Sequence, residues 1–239
     1  VGEAALDAAL AALRAGRVVA VKGVGGYHLM CDAGSDAAVA RLRARKRRPD
    51  KPLAVMVPQQ GRDGLAGVRR LAEPDAVALA ALSAPERAIV LVPRRADAPL
   101  SDGIAPGLDE VGLFLPYSPL HHLLLREFGG PLVATSGNVS GEPVLTDNAQ
   151  AEQRLAGIAD CFLHHDRPIL RPADDSVLRV IAGQPRPIRA GRGLAPLEVE
   201  LPQASPLPLL ATGGQMKNTV ALASGAQALV SPHIGELDS

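Results

Sequence analysis

The stretch ARKRRPDKPLAVMV, residues 44–57, decides the reading of the chain. It joins the end of a helix to the start of a strand and crowds its cations at the junction. Upstream, Ser35 or Asp36 is placed to cap a helix whose apolar stripe is Ala38, Val39 and Leu42, and Pro49 disfavours helical geometry in the residue before it, so the helix is expected to end near Arg48. Leu53 to Val57 then reads as a strand. A run of cations at a helix C-terminus is commonly a solvated end that complements the helix dipole. The stop at Pro49 adds a second reading. Once the chain extends, Lys46 and Arg48 point to one side and Arg47 to the other, and the guest that suits two converging cations is a triphosphate.

Outward from this point, elements alternate. Leu6, Leu10 and Leu13 recur at helical spacing before Gly16, and a strand is expected over Val18 to Lys22. Tyr27 and His28 are read as part of a Gly-rich turn after that strand, with Gly25 and Gly26. Helices are expected near Val68 to Leu71, Asp75 to Leu82 and Pro119 to Glu127, and from an Asp147/Gln150 capping box to Ala156. Strands are expected at Ala88 to Val92, Val111 to Leu115, Leu132 to Ala134 and Cys161 to His164. A closing hairpin pairs Val177 to Ile181 with Pro187 to Ala190 across a Gly-Gln-Pro turn. The mixture predicts an α/β (α+β) fold, a twisted mixed sheet flanked by helices. Residues 195–208 are Pro-rich and patternless, as an interdomain linker would be, and strands at 209–212 and 219–223 open something new.

Lys plus Arg equals Asp plus Glu at 25 each, so no long-range field draws nucleic acid or anionic membrane, and attraction to phosphate has to be local. Hydrophobic residues make up 47% of the chain and aromatics 2%, without Trp, which gives an Ala/Leu/Val core and few platforms for stacking bases. No apolar run spans a membrane and the N-terminus lacks a signal-peptide pattern, so a cytoplasmic setting is the expectation. Cys31 and Cys161 stand apart from any Cys/His cluster and read as buried thiols, not zinc ligands or a disulfide. The chain starts at Val1 and stops at Ser239 just after a strand-like run, and is read as an internal piece of something longer.

Three further segments carry chemistry. Thr135-Ser136-Gly137-Asn138-Val139-Ser140-Gly141-Glu142-Pro143 packs hydroxyls, an amide and glycines behind a buried strand, either as turn punctuation or as an anion-binding nest. Asp174-Asp175-Ser176, with Arg189 and Arg192 beyond, offers carboxylates to hold Mg²⁺ through water and an arginine for phosphate charge; exposed turn acids are the commoner explanation. His121-His122 and His164-His165 invite a metal, but neighbouring side chains diverge on helix and strand alike, and no zinc is expected. His28 stands out because loop residues after strands commonly form sites.

Taken in order, VKGVGGYHLMCDA (21–33), ARKRRPDKPLAVMV (44–57), GLFLPYSPLHHLLL (112–125), VATSGNVSGEPV (133–144) and RPADDSVLRV (171–180) resemble the YrdC-like domain of HypF proteins, the carbamoyltransferases of hydrogenase maturation. The resemblance implies an ATP-binding, carbamoyl-adenylate-forming domain over 1–196, a linker over 197–208, and over 209–239 the opening hairpin of an ASKHA-like domain. It makes Lys46 and Arg48 the nucleotide-phosphate cations and Thr135, Ser136, Asn138 and Ser140 the ATP loop. Ser176 and Arg189 match positions near the same pocket, Lys22, Tyr27 and His28 substrate-pocket positions, and Lys217 and Asn218 the second domain's phosphate site. Asp175 is the candidate for Mg²⁺.

Relatives that make threonylcarbamoyl-adenylate carry a first turn reading Pro-Thr-Asp/Glu-Thr-x-Tyr-Gly. Here residues 22–28 are Lys-Gly-Val-Gly-Gly-Tyr-His, without the Thr and the acid, which favours the HypF branch. That branch implies ATP and Mg²⁺ as cofactors, carbamoyl phosphate-derived carbamate as substrate and the C-terminal Cys of a HypE-like protein as acceptor, on the way to the cyanide ligands of [NiFe] hydrogenases. Without the rest of the second domain, the chain by itself is not expected to complete the transfer. Threonylcarbamoyl-adenylate synthesis and double-stranded RNA binding by the 41–51 run are the alternatives.

Overall fold

Each helix begins and ends where local chemistry sets it. In a computed structural model that describes residues 2–138, 142, 144–214, 218–232 and 234, helix α1 (Glu3–Arg14) presents Leu10 and Leu13 inward and is followed by Gly16 at φ +68°. Helix α2 (Asp36–Lys46) is capped by Ser35, whose Oγ accepts from the Ala38 amide at 3.3 Å, and it closes on Arg47 in the left-handed region. Asp75 caps α4 (Ala76–Ser83), Ser118 caps α5 (Pro119–Phe128) and Asp147 caps α6 (Asn148–Leu155), each accepting from a first-turn amide. Helix α3 (Ala66–Leu71) is a short turn between them.

The strands are β1 (Val19–Lys22), β2 (Tyr27–Asp32), β3 (Val55–Met56), β4 (Ile89–Pro93), β5 (Glu110–Phe114), β6 (Leu132–Ser136), β7 (Cys161–Leu163), β8 (Val177–Ile181) and β9 (Gln184–Arg189). They form one mixed sheet of order β7-β1-β2-β6-β3-β5-β4-β8-β9. β1 with β7, β3 with β5 and β4 with β8 run parallel, and the other neighbours antiparallel. One face buries Leu29, Val55 and Val133 under α2, α3, α4 and α6. The other buries Val21, Met30 and Phe114 under α1 and α5. α1 packs on β7, β1, β2 and α5, so the far half of its face stays open. Leu13 and Leu124 are fully buried there, each stabilising the layer by roughly 1.5–3 kcal/mol.

Three expectations are corrected. Tyr27 and His28 open strand β2 instead of lying in the turn; β2 is buried on both faces, so it lacks the alternation that marks a half-exposed strand. The late hairpin turns on Ala182 and Gly183, both at positive φ, so β9 starts at Gln184 and takes in Pro185 and Pro187. As the last strand of the sheet it can spare those amides. Residues 197–208 are the first half of a long strand, not a linker. β10 (Leu197–Thr212) pairs antiparallel with β11 (Val220–Val230) in a separate two-stranded sheet. Its register shifts fall between Glu200, Ser205 and Leu209, where Pro202, Pro206 and Pro208 withhold their amides.

Candidate active site

The open half of the α1/α5 face is a cleft of about 610 Å³. Its floor consists of small and apolar residues of the central strands, among them Ala54, Gly112, Ala134 and Leu91. Charged and polar groups form its rim.

The basic run sorts itself by direction. Arg43 is a buried knot: Nη1 donates to the carbonyls of Arg48 (2.7 Å), Pro49 (2.8 Å) and Lys51 (3.3 Å), and Nη2 to that of Ile104. One guanidinium therefore shapes the 48–51 turn. Arg45 pairs with Asp160 at 2.9 Å, and Arg41 donates to the Gly16 carbonyl. Arg47 adopts φ 50°, ψ 48° and faces solvent. That single left-handed residue, not an extended segment, brings Lys46 and Arg48 onto the cleft together with Lys51.

Across from them is the corner after β6. Lys46 Nζ donates to the Ser136 carbonyl and to Asn138 Oδ1 (3.0 Å), and Ser136 Oγ donates to the same Oδ1 at 2.8 Å. Gly137 makes this corner possible. Its amide donates to the Tyr27 carbonyl, and a Cβ there would stand 2.5 Å from Tyr27 Cβ. Burial, then repulsion from Arg48 and Lys51, pushes the Lys46 ammonium down to about 7, against the pull of Asp174. Burial beside Arg43 and Arg189 pushes Arg48 down to about 10. Cations held below their ordinary values in a solvent-reaching cleft favour an anionic guest, whose charge would offset their desolvation.

The third wall is the start of β8. Arg189 Nε and Nη2 both donate to the Asp175 carbonyl, at 2.9 and 2.7 Å, while its side chain reaches the cleft. Arg192 turns inward: it grips Asp175 Oδ1 through Nε (3.1 Å) and Nη2 (3.0 Å) and stands 3.5 Å above the Tyr117 ring centre. Asp175 Oδ2 lies 3.5 Å from His28 Nε2, which also meets the Tyr117 hydroxyl at 2.9 Å. Burial lowers His28 and raises Tyr117 well above its ordinary value. The Gly-rich turn locks onto this wall, since the Ala173 amide donates to the Gly25 carbonyl at 2.9 Å and a Cβ on Gly25 would lie 2.5 Å from the Ala173 oxygen.

Of the residues singled out from sequence, Lys46, Arg48, Thr135, Ser136, Asn138, Asp175, Arg189, Tyr27 and His28 all lie along the cleft. Their roles differ. Strand alternation puts Ser136 on the face of His28 and Thr135 on the face of Leu29. Tyr27 commits its hydroxyl to Asn148 and His164, both at 2.7 Å. Lys22 is buried and donates to the His165 carbonyl at 3.1 Å, off the cleft wall. Ser176 is also off the wall: its Oγ donates to the Arg192 carbonyl and accepts from the Gly191 amide, both at 2.9 Å. Asn218 sits at the β10–β11 end with a buried Oδ1 that lacks a partner among the described residues; Ser140 and Lys217 lie outside those residues. Asp175 Oδ1 is committed to Arg192, and Asp174 lines the same wall of the cleft. Among the described residues no group of three His, Cys, Asp or Glu side chains gathers around one point.

Tyr117 was missed as a site member, and Arg192, read from the sequence as a possible arginine for phosphate charge, turns onto Asp175 and Tyr117 instead of lining the cleft. The Pro-Tyr-Ser-Pro run at 116–119 marked a helix start, and nothing in it signalled that Tyr117 would touch His28.

Two family models match the chain. The Sua5/YciO/YrdC family, described as Telomere recombination, matches residues 11–191, and the HypF Kae1-like domain matches residues 204–239. A Carbamoyltransferase HypF of Synechocystis is 47% identical over 98% of the chain, which spans 30% of that relative's length. A Threonylcarbamoyl-AMP synthase of Stenotrophomonas maltophilia is 33% identical over 67% of the chain and 86% of its own length. A crystal structure of full-length HypF in its phosphate- and nucleotide-bound form superposes with a TM-score of 0.89 at 41% identity, covering 98% of this chain and 36% of that one.

Proposed function

Since the chain belongs to the Sua5/YciO/YrdC family, in the form carried by HypF carbamoyltransferases, we propose that its cleft binds ATP and forms carbamoyl-adenylate. A carbamate oxygen bonds to the α-phosphorus, the bond to the β-phosphate breaks, and pyrophosphate leaves with the electron pair. No side chain acts as nucleophile. The work is positioning and charge neutralisation: Lys46, Arg48, Lys51 and Arg189 meet the phosphates, and the Ser136–Asn138 corner fixes their register. The observation that carries the reading is that these cations and that corner line one cleft, with Lys46 bonded to the corner itself.

Mg²⁺ arriving with ATP would be held through water from the Asp174–Asp175 wall and would supply further neutralisation of phosphate charge, since this ion keeps most of its water and phosphate ligands. The reading divides the chain near residue 196, with the β10–β11 ribbon opening the Kae1-like part and Lys217 and Asn218 facing that domain's phosphate. It makes the C-terminal Cys of a HypE-like protein the final acceptor in a cytoplasmic reaction. Among the described residues no helix is long and apolar enough to cross a membrane.

Exchange of labelled pyrophosphate into ATP tests it. The chain should catalyse exchange with ammonium carbamate as the acid, and Arg48→Ala should abolish it. Exchange supported instead by threonine with bicarbonate would replace this reading with threonylcarbamoyl-adenylate synthesis, the activity named for the 33%-identical relative. For the RNA-binding alternative, Arg41, Arg43 and Arg45 each bond within the protein while Arg47 faces solvent, and salt-dependent binding of double-stranded RNA that ATP does not compete away would favour it.

A further inference from the structure

The end of the cleft beside the Ser136–Asn138 corner is closed by small residues. Gly26, Val144 and Ala173 all line it. Gly25 and Gly26 turn between β1 and β2, and the turn wedges between the loop that follows β6 and the loop that precedes β8. On one side the Tyr27 amide donates to the Leu145 carbonyl at 3.1 Å, and the Leu145 amide to that of Gly137 at 3.2 Å. On the other, the Ala173 amide donates to the Gly25 carbonyl at 2.9 Å. The turn therefore ties the second wall of the cleft to the third.

The fit at this seam is close. A Cβ on Gly26 would stand 2.9 Å from Val144 Cβ and 3.0 Å from its Cγ2, and one on Gly25 would stand 2.8 Å from Ala173 Cβ. These separations are shorter than ordinary carbon–carbon contact, so the Val144 side chain rests directly on the bare Gly26 backbone. Val144 and Ala173 are partly exposed. Their surface therefore faces a guest in the cleft instead of lying behind the wall.

The reaction gives that end of the cleft a use. In adenylation the incoming acid and the departing pyrophosphate lie roughly in line across the α-phosphorus. Lys46, Arg48 and Lys51 draw the pyrophosphate to their own side. The acid then comes from the far side, at the seam where the second and third walls meet. Carbamate turns only an amino group toward that seam, whereas an N-substituted carbamate turns a carbon toward it.

Resting on the adenylation reading above, we propose that Val144, seated on Gly26, sets the size limit of the acid substrate. The cleft takes unsubstituted carbamate and excludes carbamates that carry a carbon on nitrogen, the class that an amino acid forms with bicarbonate. The exclusion is steric, so the volume of the Val144 side chain decides it and its polarity does not. Gly26 is a positioning residue, because any side chain there would push Val144 off its seat.

Pyrophosphate exchange with ammonium carbamate and with N-methylcarbamate, formed from methylamine and bicarbonate, tests the assignment alongside calorimetric ATP affinity. The wild-type chain should favour carbamate by about tenfold or more in kcat/KM, the effect of one methyl group that a packed wall does not admit. Val144→Ala removes both methyls over Gly26 and should cut that preference by about tenfold, while ATP affinity stays within about twofold because no phosphate contact changes. A variant that merely loosened the loop would lose both acids alike. Val144→Thr keeps the shape and should keep the preference. Val144→Cys is the milder truncation should Val144→Ala fail to fold, with a change in the same direction expected. Equal wild-type kcat/KM for the two acids, an unchanged preference in the truncated variant, or its loss in Val144→Thr overturns the assignment. A wild-type chain that exchanges pyrophosphate with neither acid overturns the adenylation reading itself, and this inference with it.

Discussion

Replacing Lys46 by Met keeps most of the buried stem and deletes the ammonium. In the unliganded chain that ammonium is 3% exposed, donates to the Ser136 carbonyl and to Asn138 Oδ1, and is pushed down to about 7, chiefly by burial. A charge-assisted hydrogen bond to a bound phosphate is worth about 1.5–3 kcal/mol, so Lys46→Met should weaken ATP binding by about 10- to 150-fold. A second signature is independent of that magnitude. Above pH 7 the unliganded side chain is mostly neutral, and a triphosphate favours its charged form, so binding near pH 8 should take up close to one proton. ATP affinity should then fall as pH rises above about 7, and Lys46→Met should abolish that component. Stability moves the other way. The folded value lies below the unfolded value of 10.5, so the folded chain binds fewer protons between about 7 and 10.5. The destabilising contribution of this group is therefore absent above that window, grows as pH falls through it and is complete below about 7. Calorimetry in two buffers of different ionisation heat reads both affinity and proton uptake. Unchanged affinity in Lys46→Met, or wild-type binding at pH 8 without proton uptake, would refute the placement of Lys46 against phosphate.

Arg43 never reaches the cleft, yet Arg43→Ala should lower thermal stability by about 3 kcal/mol or more, because it strips partners from several buried carbonyls. It should also weaken ATP binding by releasing the 48–51 turn, measured by denaturant melts and calorimetry on the same protein. Gly137→Ala has to move Tyr27 or the loop, and should cost about 1–3 kcal/mol in chemical denaturation with a matching loss of nucleotide affinity. Arg192→Met leaves Asp175 buried without its cation; a loss of about 3–5 kcal/mol in the same melts is expected.

Much of this was legible in the sequence because the cues were local. The Ser35 and Asp147 caps, the Leu10/Leu13 stripe and the Pro49 stop each act within a few residues and appear where the pattern puts them. The proximity of residues 44–57 and 133–144 followed from ordered motifs, not from physics that a single chain displays. What stayed hidden was non-local or conformationally exceptional. β2 is central and buried on both faces, so it read as an extension of the Gly-rich turn. Arg47 takes a left-handed conformation that no residue type advertises except Gly and Asn, and it alone divides the basic run into cleft-facing and protein-facing cations. Asp175 reads as an exposed turn acid until Arg192, seventeen residues on, closes over it. The prolines of 197–208 hid a strand because an irregular two-stranded ribbon tolerates missing amides better than a central sheet does.

A crystal structure of the chain with a non-cleavable ATP analogue addresses the core of the account most directly. The triphosphate should lie between Lys46, Arg48 and the Ser136–Asn138 corner, with the α-phosphate on the side nearest His28. A nucleotide seated on another face, with Lys46 still donating to Ser136 and Asn138 and no phosphate within hydrogen-bond reach of it, would contradict the account.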